Sequence, residues 1–296
     1  MAVRGRTGRP GAIWAVPALA YFAVFALLPM VLVVYLSLTR WNGLGAPRWA
    51  GGANWAYLLR DPQALQSLKL SAILTVVTWV VQTAVSLPLG VWAAGPQRGR
   101  AVLTAIFFVP LLLTSSAIAV LWSALLDPNF GVAATLGPYL GVADGNFIGR
   151  PSLALWTIMA VISWQFIPFH TLLYQSATRQ IPAVLYEAAI VDGAGRLQQF
   201  RSITVPQLRH TIVTSSILMV VGSLTYFEVV LIMTNGGPGT ATRILPLDMY
   251  LTGFSAFQMG YASVLAVLML VVGTALSLLV VRVTGYRRMT SQREGL

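Results

Sequence analysis

Apolar residues in this chain come in long unbroken runs, unlike the short periodic clusters of a soluble domain. Stretches free of charge extend over 10–39, 70–97, 101–126 and 151–178. A fifth run covers 211–227 and continues past a lone Glu228 to about Met233, and the last covers 249–281. A membrane-crossing helix needs about 20 apolar residues. Inside hydrocarbon its backbone N–H and C=O groups must pair within the segment. The pattern therefore predicts an all-α membrane protein with six transmembrane helices. Arg4, Arg6 and Arg9 precede the first run as they would a signal peptide. That run is too long for one and no small-residue cleavage site follows it, so we read it as a retained helix. Pro88, Pro110 and Pro168 fall in or near the second, third and fourth runs. Each removes a backbone donor and can kink its helix, although transmembrane helices also tolerate proline without such a role.

One polar segment interrupts the pattern. EAAIVDGAGRLQQFRSITVP, Glu187 to Pro206, carries Glu187, Asp192, Arg196 and Arg201 between two apolar runs. Pro182 suits a first helical turn, where its missing N–H is unpaired anyway. Residues 183–192 then favour helix, and Gly193 suits its end because it accepts a left-handed conformation. Leu185, Ala188 and Ala189 lie on neighbouring faces of that helix. Two adjacent alanines allow another surface to approach closely. A second helical run, 197–203, is expected to end before Pro206. Helix, glycine elbow, helix, and re-entry into the membrane make a protruding knob, patterned as a docking element rather than a linker.

Composition supports the membrane reading. Of 296 residues 57% are hydrophobic and 9% charged, against about 25% charged in soluble domains. The net charge of +11 does not point to nucleic acid, because the arginines stand singly between apolar runs. They set topology instead. With the N-terminus inside, thirteen Lys and Arg side chains fall inside and six outside: Arg40, Arg48, Arg60, Lys69, Arg150 and Arg243. The positive-inside rule then favours both termini inside, N-in/C-in, with the polar knob in the longest cytoplasmic loop. Cysteine is absent, which excludes disulfides, thiolate metal sites and thiol nucleophiles. No metal, phosphate-loop or catalytic motif occurs, so neither a cofactor nor an enzymatic step is expected.

The knob resembles the EAA loop of binding-protein-dependent ABC importer permeases. Glu187, Ala188, Ala189, Asp192, Gly193, Ala194, Phe200, Ile203 and Pro206 match that pattern. Val205 stands where leucine is usual, and Arg196 and Leu197 replace Ser-x-Trp-like residues. TYFEVVLIMTNGGPGTATRILPLDMYLTGF, Thr225 to Phe254, is similar to the helix 5–6 region of sugar-type permeases, through Phe227, Glu228, Thr234, Gly236, Gly237, Pro238, Thr242, Tyr250 and Phe254. Asn235 replaces a common glycine there. WAGGANWAYLL, Trp49 to Leu59, resembles the family's F-x-G-L-x-N-Y segment with Asn54 aligned and Trp55 in place of Tyr.

The resemblance implies a type I ABC importer permease fold of the maltose or glycerol-phosphate kind in a bacterial inner membrane. It implies an N-terminal helix with an extracytoplasmic segment (1–66), a permease core (67–284) with a coupling loop (179–209), and a cytoplasmic tail (285–296). The implied partners are a second homologous permease, an ATPase dimer and an extracytoplasmic solute-binding protein. Glu187, Ala188, Ala189, Asp192, Gly193 and Ala194 would couple to the ATPase. Gly236, Gly237 and Pro238 are most simply a turn, and in the family they would touch the binding protein.

Candidate pathway residues follow from polarity within the spans. Glu228 is the only carboxylate well inside a run, where an acid usually faces a bundle interior or wet cavity. It suits a sugar hydroxyl, or equally a helix–helix hydrogen bond or interfacial ion pair. Trp164, Gln165 and Phe169 put aromatic rings beside an amide, which suits sugar; ordinary packing with a bridging Gln is the alternative. Tyr226, Asn235 and Gln82 join the list on weaker grounds. His170 is a proton relay or a packed residue. Trp14, Trp41, Trp49 and Trp55 suit the interfacial aromatic belts, and Arg287 with Arg288 suits an anchor on lipid headgroups. No arginine lies inside a run, which favours a neutral di- or oligosaccharide over glycerol phosphate or another polyol ester. A stand-alone secondary transporter would want ion-coupling charges beyond Glu228 and would leave the knob unexplained.

Overall fold

The computed structural model describes residues 12–95, 102 and 105–283. The tail 285–296 with Arg287 and Arg288, and the arginines at 4, 6, 9, 98 and 100, lie outside the described residues. The chain divides into two compact units, Met1–Arg60 with Met249–Val267, and Asp61–Asp248 with Leu268–Leu296.

In the first unit, α1 (Val16–Ser37) is a 22-residue apolar helix that buries none of its apolar residues and widens by one residue at Ala23–Leu27. It leads into a two-stranded antiparallel hairpin, β1 (Thr39–Arg40) and β2 (Arg48–Trp49), with Thr39 opposite Trp49 and Arg40 opposite Arg48. Asn54, on the short helix Ala53–Leu58, donates from Nδ2 to the Ser37 and Thr39 carbonyls at 3.0 and 2.8 Å. That fork satisfies carbonyls left over at the end of α1. Gly260 packs so tightly on the Thr39 carbonyl that a side chain there would overlap it.

The second unit is built on α2 (Pro62–Ala93), α3 (Ser115–Leu125), α4 (Pro151–Thr178), α5 (Ala183–Val191), α6 (Arg209–Ser223) and α7 (Phe227–Thr234). Asp61 starts α2 by accepting from the Gln63 N–H at 2.9 Å, with Pro62 in the first turn. Thr114 caps α3 in the same way at 3.2 Å. Helix α2 packs most extensively on α4, α6 lies against both, and α3 packs on α7. Leu74, Ile118, Ile158, Ile162 and Val230 are fully buried in this core. A seam of hydroxyls and rings joins α2 to α6. Thr75 and Ser223 pair at 2.7 Å, and Trp79 donates to Ser216 at 2.9 Å. Such bonds hold helices together where lipid supplies no hydrophobic drive between them.

Among the described residues four helices are long and apolar enough to cross a membrane: α1, α2, α4 and most of α9 (Met259–Val283). The pair α6 and α7, bent by 44°, adds a fifth when the two are counted as one span. Two expected runs are broken. In the third, Pro110 lies in a tight turn, Val109–Leu112, and the chain extends at Leu113 and Thr114 before α3 begins. In the last, α8 (Leu245–Tyr250) passes into a wide turn, and Phe257 takes a left-handed φ of 55° just before α9. The residues that break these runs are uncharged, so hydropathy does not register them.

Candidate functional site

The polar segment folds as a braced knob. Helix α5 ends at Asp192, and Gly193 turns left-handed at φ 76°. Its N–H reaches the Ile190 carbonyl at 3.0 Å, and the Ala194 N–H reaches the Ala189 carbonyl at 2.8 Å. These two bonds are the Schellman pattern that ends a helix on glycine. The returning chain is tied back: the Tyr186 hydroxyl pairs with Thr204 Oγ1 at 2.9 Å, and Gln199 Nε2 donates to the Ala194 carbonyl at 2.8 Å. The second run differs from the expectation. It starts at Arg196, widens over Phe200–Thr204 and carries on through Pro206 to Gln207. The widening shifts the ladder by one residue, the Val205 N–H reaching back to Phe200. The chain then accepts Pro206 without a break.

All six expected coupling residues lie on this knob. Glu187, Ala188, Asp192 and Gly193 are exposed, while Ala189 and Ala194 are half-buried. Among the described residues Glu187 makes no hydrogen bond or ion pair. Around it Val184, Leu185, Ile190, Val191 and Leu197 are exposed apolar side chains. Exposed apolar surface of this kind is the sort that protein–protein or membrane contacts use.

The pathway candidates converge in part. Two neighbouring serines in the first turn of α3 join two other helices. Ser115 Oγ accepts from Gln165 Nε2 of α4, and Ser116 Oγ donates to Glu228 Oε2 of α7, each at 3.3 Å. Trp164 stacks edge-on against Trp122 of α3 at 5.5 Å, and Tyr226 lies against Phe166 at 5.0 Å. Tyr226 sits at the bend between α6 and α7. Gln82 of α2 is 1% exposed. Its amide lies beside the Tyr226 hydroxyl without a well-formed hydrogen bond, and both its polar atoms stay unpaired. The Gln165 Oε1 atom is likewise buried and unpaired. Buried amides without partners are costly and rare, and they cluster where Trp164, Gln165, Tyr226 and Glu228 meet.

Two further candidates make contacts of their own. Phe169 packs on the adjacent His170 ring. Asn235 is exposed at the end of α7 with φ 50°, where its N–H closes the helix on the Val230 and Leu231 carbonyls at 3.0 Å. It serves as a helix cap, since Asn tolerates that conformation. His170 pairs with Ser215 at 2.8 Å as a packed residue. Ser115, Ser116 and Trp122 were not marked by sequence reasoning. The Thr-Ser-Ser cap that opens α3 is their one local signal.

The family model for binding-protein-dependent transport system inner membrane components matches residues 86–287. The probable ABC transporter permease protein YurN of Bacillus subtilis is 31% identical over 272 residues, 90% of this chain and 93% of that one. The diacetylchitobiose uptake system permease protein NgcF of Streptomyces coelicolor is 30% identical over 293 residues, 93% of this chain and 83% of that one. In fold, the chain is similar to one in the crystal structure of a bacterial alginate ABC transporter in complex with alginate pentasaccharide-bound periplasmic protein. The TM-score is 0.81 at 19% identity, covering 94% of this chain and 95% of the other.

Proposed function

The chain belongs to the binding-protein-dependent transport system inner membrane components, and from that premise we propose that its cargo is a sugar of two or more units. It is the membrane-spanning permease subunit of an importer, and ATP hydrolysis falls to a separate subunit. The observation that carries the sugar reading is the cluster of Trp164, Gln165, Tyr226 and Glu228, which holds no basic side chain. Aromatic faces stack on the C–H faces of sugar rings, while amides donate to and accept from hydroxyls and a carboxylate accepts from them. The unpaired amide of Gln82 and the unpaired Oε1 of Gln165 have hydrogen-bonding capacity left for such a solute. The name of the Streptomyces relative, a disaccharide uptake permease, supports the same class.

The coupling scheme belongs to the same proposal. Six spans with both termini inside put the knob in the cytoplasm. There Glu187, Ala188, Ala189, Asp192, Gly193 and Ala194 enter a groove of an ATPase dimer. The partners are that dimer, a second permease that completes the pathway, and an extracytoplasmic binding protein that delivers the solute. The core 67–284 carries transport, and the tail 285–296 stays cytoplasmic. ATP shifts the inward- and outward-facing populations only through its differential affinity for the two states. Sugar then moves by alternating access.

The test is ATPase activity of the reconstituted complex with a candidate binding protein and a panel of sugars, beside Glu187→Ala and Gly193→Pro permeases. Proline cannot take the φ of 76° held by Gly193. Stimulation by one loaded binding protein, lost in both variants while basal hydrolysis and assembly persist, is the expected result. Variants that behave as wild type, or transport without any ATPase, would overturn it.

A further inference from the structure

The first unit holds a cavity of about 620 Å³ that the transport reading does not use. Arg40 and Arg48 line it from directly opposite positions of the hairpin. Side chains so placed share one face and stand roughly 5 Å apart at Cβ, where like charges repel. No carboxylate in this unit relieves them. All eight acidic residues of the chain fall outside Met1–Arg60 and Met249–Val267. Arg150 and Arg243, by contrast, are each paired with an aspartate. The cavity also presents Gln258, an exposed neutral amide, and Phe257 at its strained left-handed φ of 55°.

The depth of this cavity in the bilayer is marked by aromatic rings. Tyr35 and Trp49 meet at 6.3 Å, Tyr57 and Tyr261 at 4.8 Å, and Trp41 lines the cavity itself. Amphipathic rings gather at the headgroup level of a membrane. From the cavity the chain runs back along α1, which buries none of its apolar residues and so leaves a full-length apolar track beside the site. We propose that this cavity binds the headgroup of an anionic phospholipid, its phosphate held between Arg40 and Arg48 and its acyl chains lying along α1. The guanidinium fork matches phosphate oxygens in pairs. A hydroxyl-bearing headgroup such as glycerol meets the Gln258 amide. The bound anion removes the repulsion across the hairpin, so the lipid stiffens the joint between α1 and the short helix that carries Asn54.

Native mass spectrometry of the full chain in mild detergent tests this. Phosphatidylglycerol and phosphatidylethanolamine are titrated against wild type, Arg40→Gln/Arg48→Gln and Arg40→Lys/Arg48→Lys. Wild type should retain phosphatidylglycerol over phosphatidylethanolamine. The glutamine variant should lose that retention by about 30-fold, at roughly fivefold per arginine, and the lysine variant should keep most of it. Equal retention of the two lipids by wild type overturns the proposal, and that comparison needs no substitution. Displacement of phosphatidylglycerol by inorganic phosphate overturns it in favour of a free anion. Unchanged retention in the glutamine variant, with loss of binding-protein affinity, overturns it in favour of a protein partner's carboxylates.

Discussion

Asp248 has a single strong counter-charge and almost no water. It is 2% exposed, and Arg243 donates to its Oδ1 at 2.7 Å from both Nε and a terminal nitrogen. Burial pushes the Asp248 carboxyl up from 3.8, while the Arg243 charge and the Ser67 hydroxyl hold it down. Because the net shift is upward, the folded chain binds this proton more tightly than the unfolded chain. The group's contribution to stability therefore falls as pH rises through the interval above 3.8, and it is level at neutral pH. Arg243→Gln removes the main opposing charge and drives the carboxyl further up. At neutral pH the variant must hold a buried, unpaired carboxylate. A fully dry pair broken this way loses about 3–5 kcal/mol. Arg243 is 27% exposed, so water can replace part of it, and we expect a loss of about 2 kcal/mol. Thermal unfolding in detergent should recover much of that loss near pH 5. Asp248→Asn should lose less and show no such recovery. A loss for Arg243→Gln that is the same at both pH values would reject the assignment.

Helices α2 and α4 meet at Gly90. A methyl group there would lie 2.6 Å from Tyr174 Cβ and 2.8 Å from the Thr171 carbonyl. Nearby, Gln175 Nε2 donates to the Ala93 carbonyl at 3.0 Å and pins the crossing. Alanine is the better helix former by about 1 kcal/mol, so propensity and packing oppose each other at this position. We expect packing to win, with Gly90→Ala losing about 1–3 kcal/mol in unfolding experiments. A gain would mean that the helices part freely. The same contrast decides which elements are legible in the chain. The runs that become α2 and α4 read directly, because a long uncharged stretch has one solution in lipid. The knob reads nearly as well, since Gly193 must turn left-handed and the residues around it alternate in a helical pattern. Three features do not read: the bend at Tyr226, the break at Phe257, and the hairpin that opposes Arg40 to Arg48. The bend packs on a ring far away in sequence, Phe166 against Tyr226, the Gly260 N–H just after the break reaches the Trp41 carbonyl, and the hairpin's strands are only two residues long. Gln165 and Glu228 read as polar residues in apolar runs. The serines that bring them to one helix end, Ser115 and Ser116, carry no hydropathy signal of their own.

At the scale of the whole molecule, the coupling scheme stands or falls with topology. Six crossings put α5 on the side opposite to the loops that join α3 to α4 and α7 to α8; losing the α6–α7 crossing would return the second loop to the knob's side, and losing α3 would exchange the sides of all three. The absence of cysteine makes this directly measurable, because any thiol introduced is the only one. Val191 is 87% exposed on the knob and Phe130 is 82% exposed after α3. Thr240 is exposed beyond α7. The backbone around Phe130 is fixed independently of its side chain, since Asp127 accepts from the Asn129 and Phe130 N–H groups. Single Val191→Cys, Phe130→Cys and Thr240→Cys variants should therefore fold as wild type does. In intact cells stripped of any outer barrier, a membrane-impermeant maleimide should label positions 130 and 240 and spare 191. In inverted vesicles the labelling should reverse. The broken third run is the crossing most exposed to this test, because α3 alone spans about 16 Å at 1.5 Å per residue, roughly half of a hydrocarbon core. If α3 and the turn at Pro110 enter and leave on one side, the pattern inverts: in intact cells position 191 will label and positions 130 and 240 will be spared, because α4 still separates 130 from 191. The knob would then face the binding protein instead of an ATPase.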